Sequence, residues 1–151
     1  MSKVSQEHDA TTHATDAPLI ASCHCGRVTL QIPPSALGQT MNECRCTVCY
    51  KYAVLWMYYK RKDVVVTVAP GTHIDKYIRD DDETGGNISF NRCGHCGCMT
   101  HWWGENKMLG DEKVMGVNYR MLPEKSIQGL AREVTYGPKP KNRGVHRQYQ
   151  D

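Results

Sequence analysis

The chain has 151 residues, with eight Cys, three Trp, one Phe and a formal net charge of +3. That length suits one domain with a modest core, and the weak net charge, split between basic Lys60-Arg61-Lys62 and acidic Asp80-Asp81-Asp82-Glu83, gives no continuous basic face; nucleic acid is not expected as a partner. No apolar run approaches the roughly 20 residues of a membrane helix, no lipidation motif stands at either end, and the opening Met1-Ser2-Lys3-Val4-Ser5 carries no apolar signal segment, so no membrane association and a cytoplasmic location are expected.

In chain order, residues 1–17 are rich in Ser, Thr, Asp and His without periodicity and read as a flexible leader. Arg27 to Ile32 alternates polar and apolar and stops at Pro33-Pro34, Val54 to Tyr59 is apolar and aromatic, and Val64 to Val68 is β-branched up to Pro70-Gly71; each predicts a strand. Weaker strand signals cover His73 to Ile78, Ile88 to Phe90, Met99 to Trp103 and Lys113 to Asn118. Asp82 to Asn87, with Gly85-Gly86, predicts a turn or loop, and Leu122 to Leu130 a helical turn after Pro123. The polar stretch 137–151 reads as a flexible tail. With no internal repeat and no dominant helical period, residues 18–136 are expected to form one mainly β domain with short helical turns.

All eight cysteines fall into three clusters: Cys23-His24-Cys25, Cys44-Arg45-Cys46-Thr47-Val48-Cys49, and Cys93-Gly94-His95-Cys96-Gly97-Cys98. Thiols one or two residues apart bridge each other poorly but converge readily on one soft cation, so zinc is favoured over a disulfide framework. A closed tetrahedral site takes two pairs from separate segments, and Cys23/Cys25 with Cys93/Cys96 fit that pattern; Gly26, Gly94 and Gly97 allow tight turns around them. Cys44, Cys46 and Cys49 are three thiols within six residues. Three protein ligands with one open corner is the arrangement of a catalytic zinc, whereas a fourth ligand from Cys98, His24, His95 or His101 would close it. Two zinc ions per chain are expected.

Ile20 to Val28, then Cys44 to Cys49, then Cys93 to Gly97 resemble the three ordered signatures of the glutathione-dependent formaldehyde-activating enzyme family, which also includes centromere protein V. The resemblance covers residues 18–122, since Met115 to Leu122 is similar to the family's closing strand. It implies a β-tent of antiparallel sheets stapled by zinc, a structural zinc on Cys23, Cys25, Cys93 and Cys96, and a working zinc on Cys44, Cys46 and Cys49. It also implies a carbon–sulfur lyase that joins or cleaves a thiol adduct, with glutathione or a similar small thiol as partner and S-hydroxymethylglutathione as the product with formaldehyde. The alternatives are a non-catalytic zinc module binding protein or chromatin, and a same-fold biosynthetic enzyme whose substrate lacks glutathione. A homodimer is compatible with either class.

Arg92 before Cys93, and Cys98 after Gly97, depart from the family pattern. Cys98 is open to three roles: fourth zinc ligand, nucleophile or inert buried thiol. His101, beside Trp102-Trp103, is a candidate general acid or base, set against simple packing. Arg45, Lys51 and Arg120 are candidate clamps for substrate carboxylates, and Tyr50, Tyr52 and Trp56 candidate pocket walls.

Overall fold

A computed structural model describes residues 17–79, 88–105 and 113–136. The expected leader, apart from Ala17, the turn at Asp82 to Asn87 and the tail lie outside the described residues.

Strands dominate: β1 (Leu19–Ser22), β2 (Val28–Ile32), β3 (Leu37–Cys44), β4 (Trp56–Lys60), β5 (Val65–Val68), β6 (Ile74–Ile78), β7 (Ile88–Cys93), β8 (Met99–Gly104), β9 (Val114–Asn118) and β10 (Arg132–Thr135), with short helices α1 (Thr47–Lys51) and α2 (Glu124–Ile127). They form a three-stranded sheet in the order β1-β2-β5 and a seven-stranded sheet in the order β10-β3-β4-β9-β8-β7-β6. Among the described residues all pairings are antiparallel except one. β10 runs parallel to β3, with Thr135 opposite Cys44, because α2 and the turn at Gly129 return the chain to the far edge before it resumes an extended course. The larger sheet is therefore mixed, a correction to the all-antiparallel expectation.

Period-two alternation explains how the sheets meet. Val28, Leu30 and Ile32 are fully buried while Gln31 points to solvent, and they share a core with Met57, Tyr59, Met115 and Val117 of the larger sheet. Each such side chain contributes about 1.5–3 kcal/mol by burial. The intervening residues of β4 face the other way. Trp56 and Tyr58 join Phe90, Met99, Trp102 and Val54 in a second apolar cluster, which also holds Cys44, Cys46 and Cys49. One face of the large sheet thus builds the core against the small sheet, and the opposite face carries the three-cysteine loop.

Candidate metal centres

The first centre joins two knuckles of similar construction. After β1 the chain turns so that Gly26 N–H donates to Cys23 O (2.9 Å), and Val28 N–H donates to Cys23 Sγ (3.2 Å). After β7, Gly97 N–H donates to Cys93 O (2.8 Å) and Cys93 N–H to Cys98 O (3.0 Å). Each turn closes on a glycine at φ +75°, a conformation that strains any residue with a Cβ. Gly94 serves a different purpose from the one its position suggests. Its backbone lies against the His73 ring, where a Cβ would come within 2.5 Å, so a side chain at this position has to displace that exposed ring.

These turns place the sulfurs of Cys23, Cys25, Cys93 and Cys96 within 4.8 Å of one another. Cys23 Sγ lies 3.5 Å from Cys25 Sγ, which lies 3.7 Å from Cys93 Sγ. A tetrahedron of sulfurs at about 2.3 Å from zinc has edges of about 3.8 Å. The separations therefore fit one tetrahedral ion. Burial opposes ionisation of Cys96, yet backbone N–H groups of Cys98 and Cys25 and the neighbouring thiols bring it down to about 5.

In the second centre, Cys44 ends β3, Cys46 is the residue before α1, and Cys49 lies within it. Arg45 N–H donates to Thr135 O (2.6 Å), so β10 pins the start of the loop, while Tyr50 N–H closes its first turn on Cys46 O (2.9 Å). The three sulfurs lie within 4.8 Å of one another, and the Trp56 indole N–H donates to Cys49 Sγ (3.2 Å). Without a cation only one of these thiols ionises readily. Hydrogen bonds from the thiols of Cys46 and Cys49 hold Cys44 down to about 2, and the same bonds, with burial, push Cys46 and Cys49 up. Three clustered thiolates need a dication to coexist, so the donor set fits zinc.

Around this trio the aromatic residues form a wall. Tyr52 and Trp56 tilt against Phe90 at 6.0 and 6.3 Å, and Tyr58 meets Trp102 edge-on at 6.2 Å. Trp102 lies flat on Gly116, where a Cβ would come within 2.1 Å of its indole nitrogen. Tyr52 and Trp56 pack in the cluster that holds the three cysteines, whereas Tyr50 is 61% exposed. Tyr58, Asn42 and Thr135 form a side-chain chain at this face that the sequence did not single out. The parity of Asn42 with Cys44 and of Tyr58 with Trp56 is the signal that would have found them.

Other expected residues fall elsewhere. His101 is fully buried on the core face, its register partner being Val117, and its ring packs 4.5 Å from Trp103. Thr100 Oγ1 lies 2.8 Å from its Nδ1, Nε2 has no protein partner, and burial, with Arg61 and Lys76, pushes its pKa down to about 3. It is a buried group paired in register with the core residue Val117, while its neighbour Trp102 packs in the cluster that holds the three cysteines. Cys98 belongs to neither sulfur group among the described residues; its thiol is pushed up by burial and by Cys96 beside it, at the first centre. His24 and His95 are exposed and lie in neither group. Arg45 pairs with Glu43 (3.1 Å), Lys51 is exposed at the end of α1, and Arg120 is exposed after β9.

The family model of the glutathione-dependent formaldehyde-activating enzyme matches residues 18–131. The chain belongs to that family. A crystal structure of a Rhodobacter sphaeroides protein is similar at 18% identity, covering 76% of this chain and 100% of that one, with a TM-score of 0.57. At that identity the likeness shows the shared fold alone. No curated protein matches the chain in sequence. Among the described residues no helix is long and apolar enough to cross a membrane.

Proposed function

We propose that this member of the formaldehyde-activating family is a zinc-dependent carbon–sulfur lyase that joins a small glutathione-like thiol to an aldehyde, or cleaves the adduct, at Cys44, Cys46 and Cys49. The β-tent is then stapled by a structural zinc on Cys23, Cys25, Cys93 and Cys96. The observation that carries the reading is the contrast in donor number: four sulfurs gather at one centre and three at the other, with no fourth His, Cys, Asp or Glu grouped with the three among the described residues.

Zinc bound by the three cysteines supplies a Lewis acid that favours the thiolate form of an incoming thiol. The chain's own groups do the rest. Trp56 N–H holds the Cys49 sulfur in place, Arg45 N–H anchors the loop on β10, and Tyr52, Phe90 and Trp102 shield one side from water. Arg45 and Lys51 are the cations nearest in sequence to the trio and are assigned to the carboxylates of a glutathione-like substrate.

Exchange spectroscopy on glutathione and ¹³C-formaldehyde, read against the spontaneous rate without protein, tests the reading. The zinc-loaded protein is expected to accelerate exchange between free thiol and S-hydroxymethyl adduct, and Cys49→Ser to return it to the background rate. Equal exchange with and without protein contradicts the assignment.

A further inference from the structure

Beside the three cysteines runs a line of buried and half-buried polar side chains whose donors and acceptors are nearly all matched. Thr135 Oγ1–H donates to Asn42 Oδ1 (2.8 Å), and Asn42 Nδ2–H donates to the Tyr58 hydroxyl oxygen (2.5 Å). The three residues come from three adjacent strands, β10, β3 and β4. Asn42 is 9% exposed, so its carboxamide is fixed by these two partners rather than by solvent. With its oxygen accepting from Asn42, the phenol has one hydrogen left to give. That hydrogen is not used by Asn42. The ring packs in the same cluster as the three cysteines and is only partly buried, so its hydroxyl stands at the face that the sulfur trio occupies.

We propose that Tyr58 is a catalytic hydrogen-bond donor of the three-cysteine centre, presenting its O–H to the oxygen of the aldehyde or hydroxymethyl group, with Asn42 and Thr135 as positioning residues. The inference rests on the reading of that centre as a thiol–aldehyde site. In the addition, a sulfur electron pair forms the new carbon–sulfur bond and the carbonyl π pair moves onto oxygen. The proton given up by the thiol ends on that oxygen, and the reverse sequence cleaves the adduct. Tyr58 keeps its own proton throughout. Its hydrogen bond strengthens as charge develops on oxygen, which is the condition for speeding the chemical step rather than merely tightening binding. The role also explains why a tyrosine hydroxyl stands on an otherwise apolar wall of Trp56, Phe90 and Trp102.

The test compares zinc-loaded wild type with Tyr58→Phe, following metal content, thermal melting, calorimetric binding of ethanethiol and 2-mercaptoethanol, and glutathione–formaldehyde exchange. Wild type is expected to bind the oxygen-bearing thiol about three- to tenfold more tightly than ethanethiol, matching one net hydrogen bond. Tyr58→Phe should lose that preference, keep its metal and its ethanethiol affinity, and exchange about ten- to a hundredfold more slowly. Asn42→Asp is the second variant, because a carboxylate only accepts and draws the phenol hydrogen away from the site; it should show the same two losses. An unchanged preference and rate in folded Tyr58→Phe, beside an active wild type, overturns the role of Tyr58. A wild type that binds neither thiol and accelerates nothing overturns the thiol–aldehyde reading itself.

Discussion

The two cysteine centres differ in what they connect. Cys25 and Cys93 stand 68 residues apart, so the four-sulfur centre ties the turn after β1 to the β7–β8 hairpin, whereas Cys44, Cys46 and Cys49 come from a single loop. On the proposed reading, metal affinity at the first is folding energy and at the second is available for chemistry. The surroundings follow the same division. Cys23 and Cys93 are walled into the main core, while the trio faces an aromatic wall of which Tyr58, Tyr52 and Trp102 remain half-exposed.

Cys93→Ser should break the first centre and the fold with it. Structural zinc contributes on the order of 10 kcal/mol, comparable to the whole stability of a small domain, so loss of a cooperative thermal transition is expected. A soluble variant melting at the wild-type temperature would contradict the structural assignment. Cys49→Ser, by contrast, should leave circular dichroism and melting close to wild type and abolish thiol exchange. If it collapses as fully as Cys93→Ser, the two centres are not different in kind.

His101 sharpens the contrast from the core side. Its folded pKa lies near 3 against an ordinary 6.5, so between those values the unfolded chain binds a proton that the folded chain does not. Its contribution to stability is full above about pH 6.5 and is lost as pH falls toward 3. His101→Gln should flatten that acid limb in denaturant titrations while leaving thiol exchange per folded molecule unchanged. A large loss of exchange with unaltered stability would return His101 to the chemistry.

Smaller effects are expected at the wall. Gly116→Ala must displace Trp102, at about 1–3 kcal/mol, with a shift in tryptophan fluorescence. Trp56→Phe keeps the ring and removes only the donor to Cys49 Sγ, and should weaken metal retention at the second centre about tenfold, read by chelator competition, with the first centre unaffected. Equal weakening at both would show that Trp56 acts through the fold.

What the sequence reveals follows from how local each signal is. β2, β4 and β5 alternate or are β-branched and aromatic and read directly as strands, and the cysteine spacings read directly as sulfur groups able to hold a metal, because both depend on neighbouring residues. β3 passes unnoticed, since Gly38, Gln39, Thr40 and Asn42 dilute its pattern and its pairing with β4 shifts register between Leu37 and Asn42. β10 is an exposed edge strand beginning Arg132-Glu133, and α1 is too short to show a helical period. The placement of β8 side chains depends on a pairing that simple alternation does not reveal. Pairing irregularity opposite Asn91 and Arg92 breaks the alternation of β8, so Met99 packs on the cysteine face while His101 turns into the core. The link from Thr135 to Asn42 spans 93 positions, and only the strand order brings it together.

Zinc-edge X-ray absorption on freshly purified, metal-saturated protein tests the central claim most directly. Seven cysteines distributed over two ions give an average of 3.5 sulfurs per zinc, rising to four when glutathione occupies the second centre. An average of four sulfurs before any thiol is added, or an average that does not change with glutathione, would contradict the account.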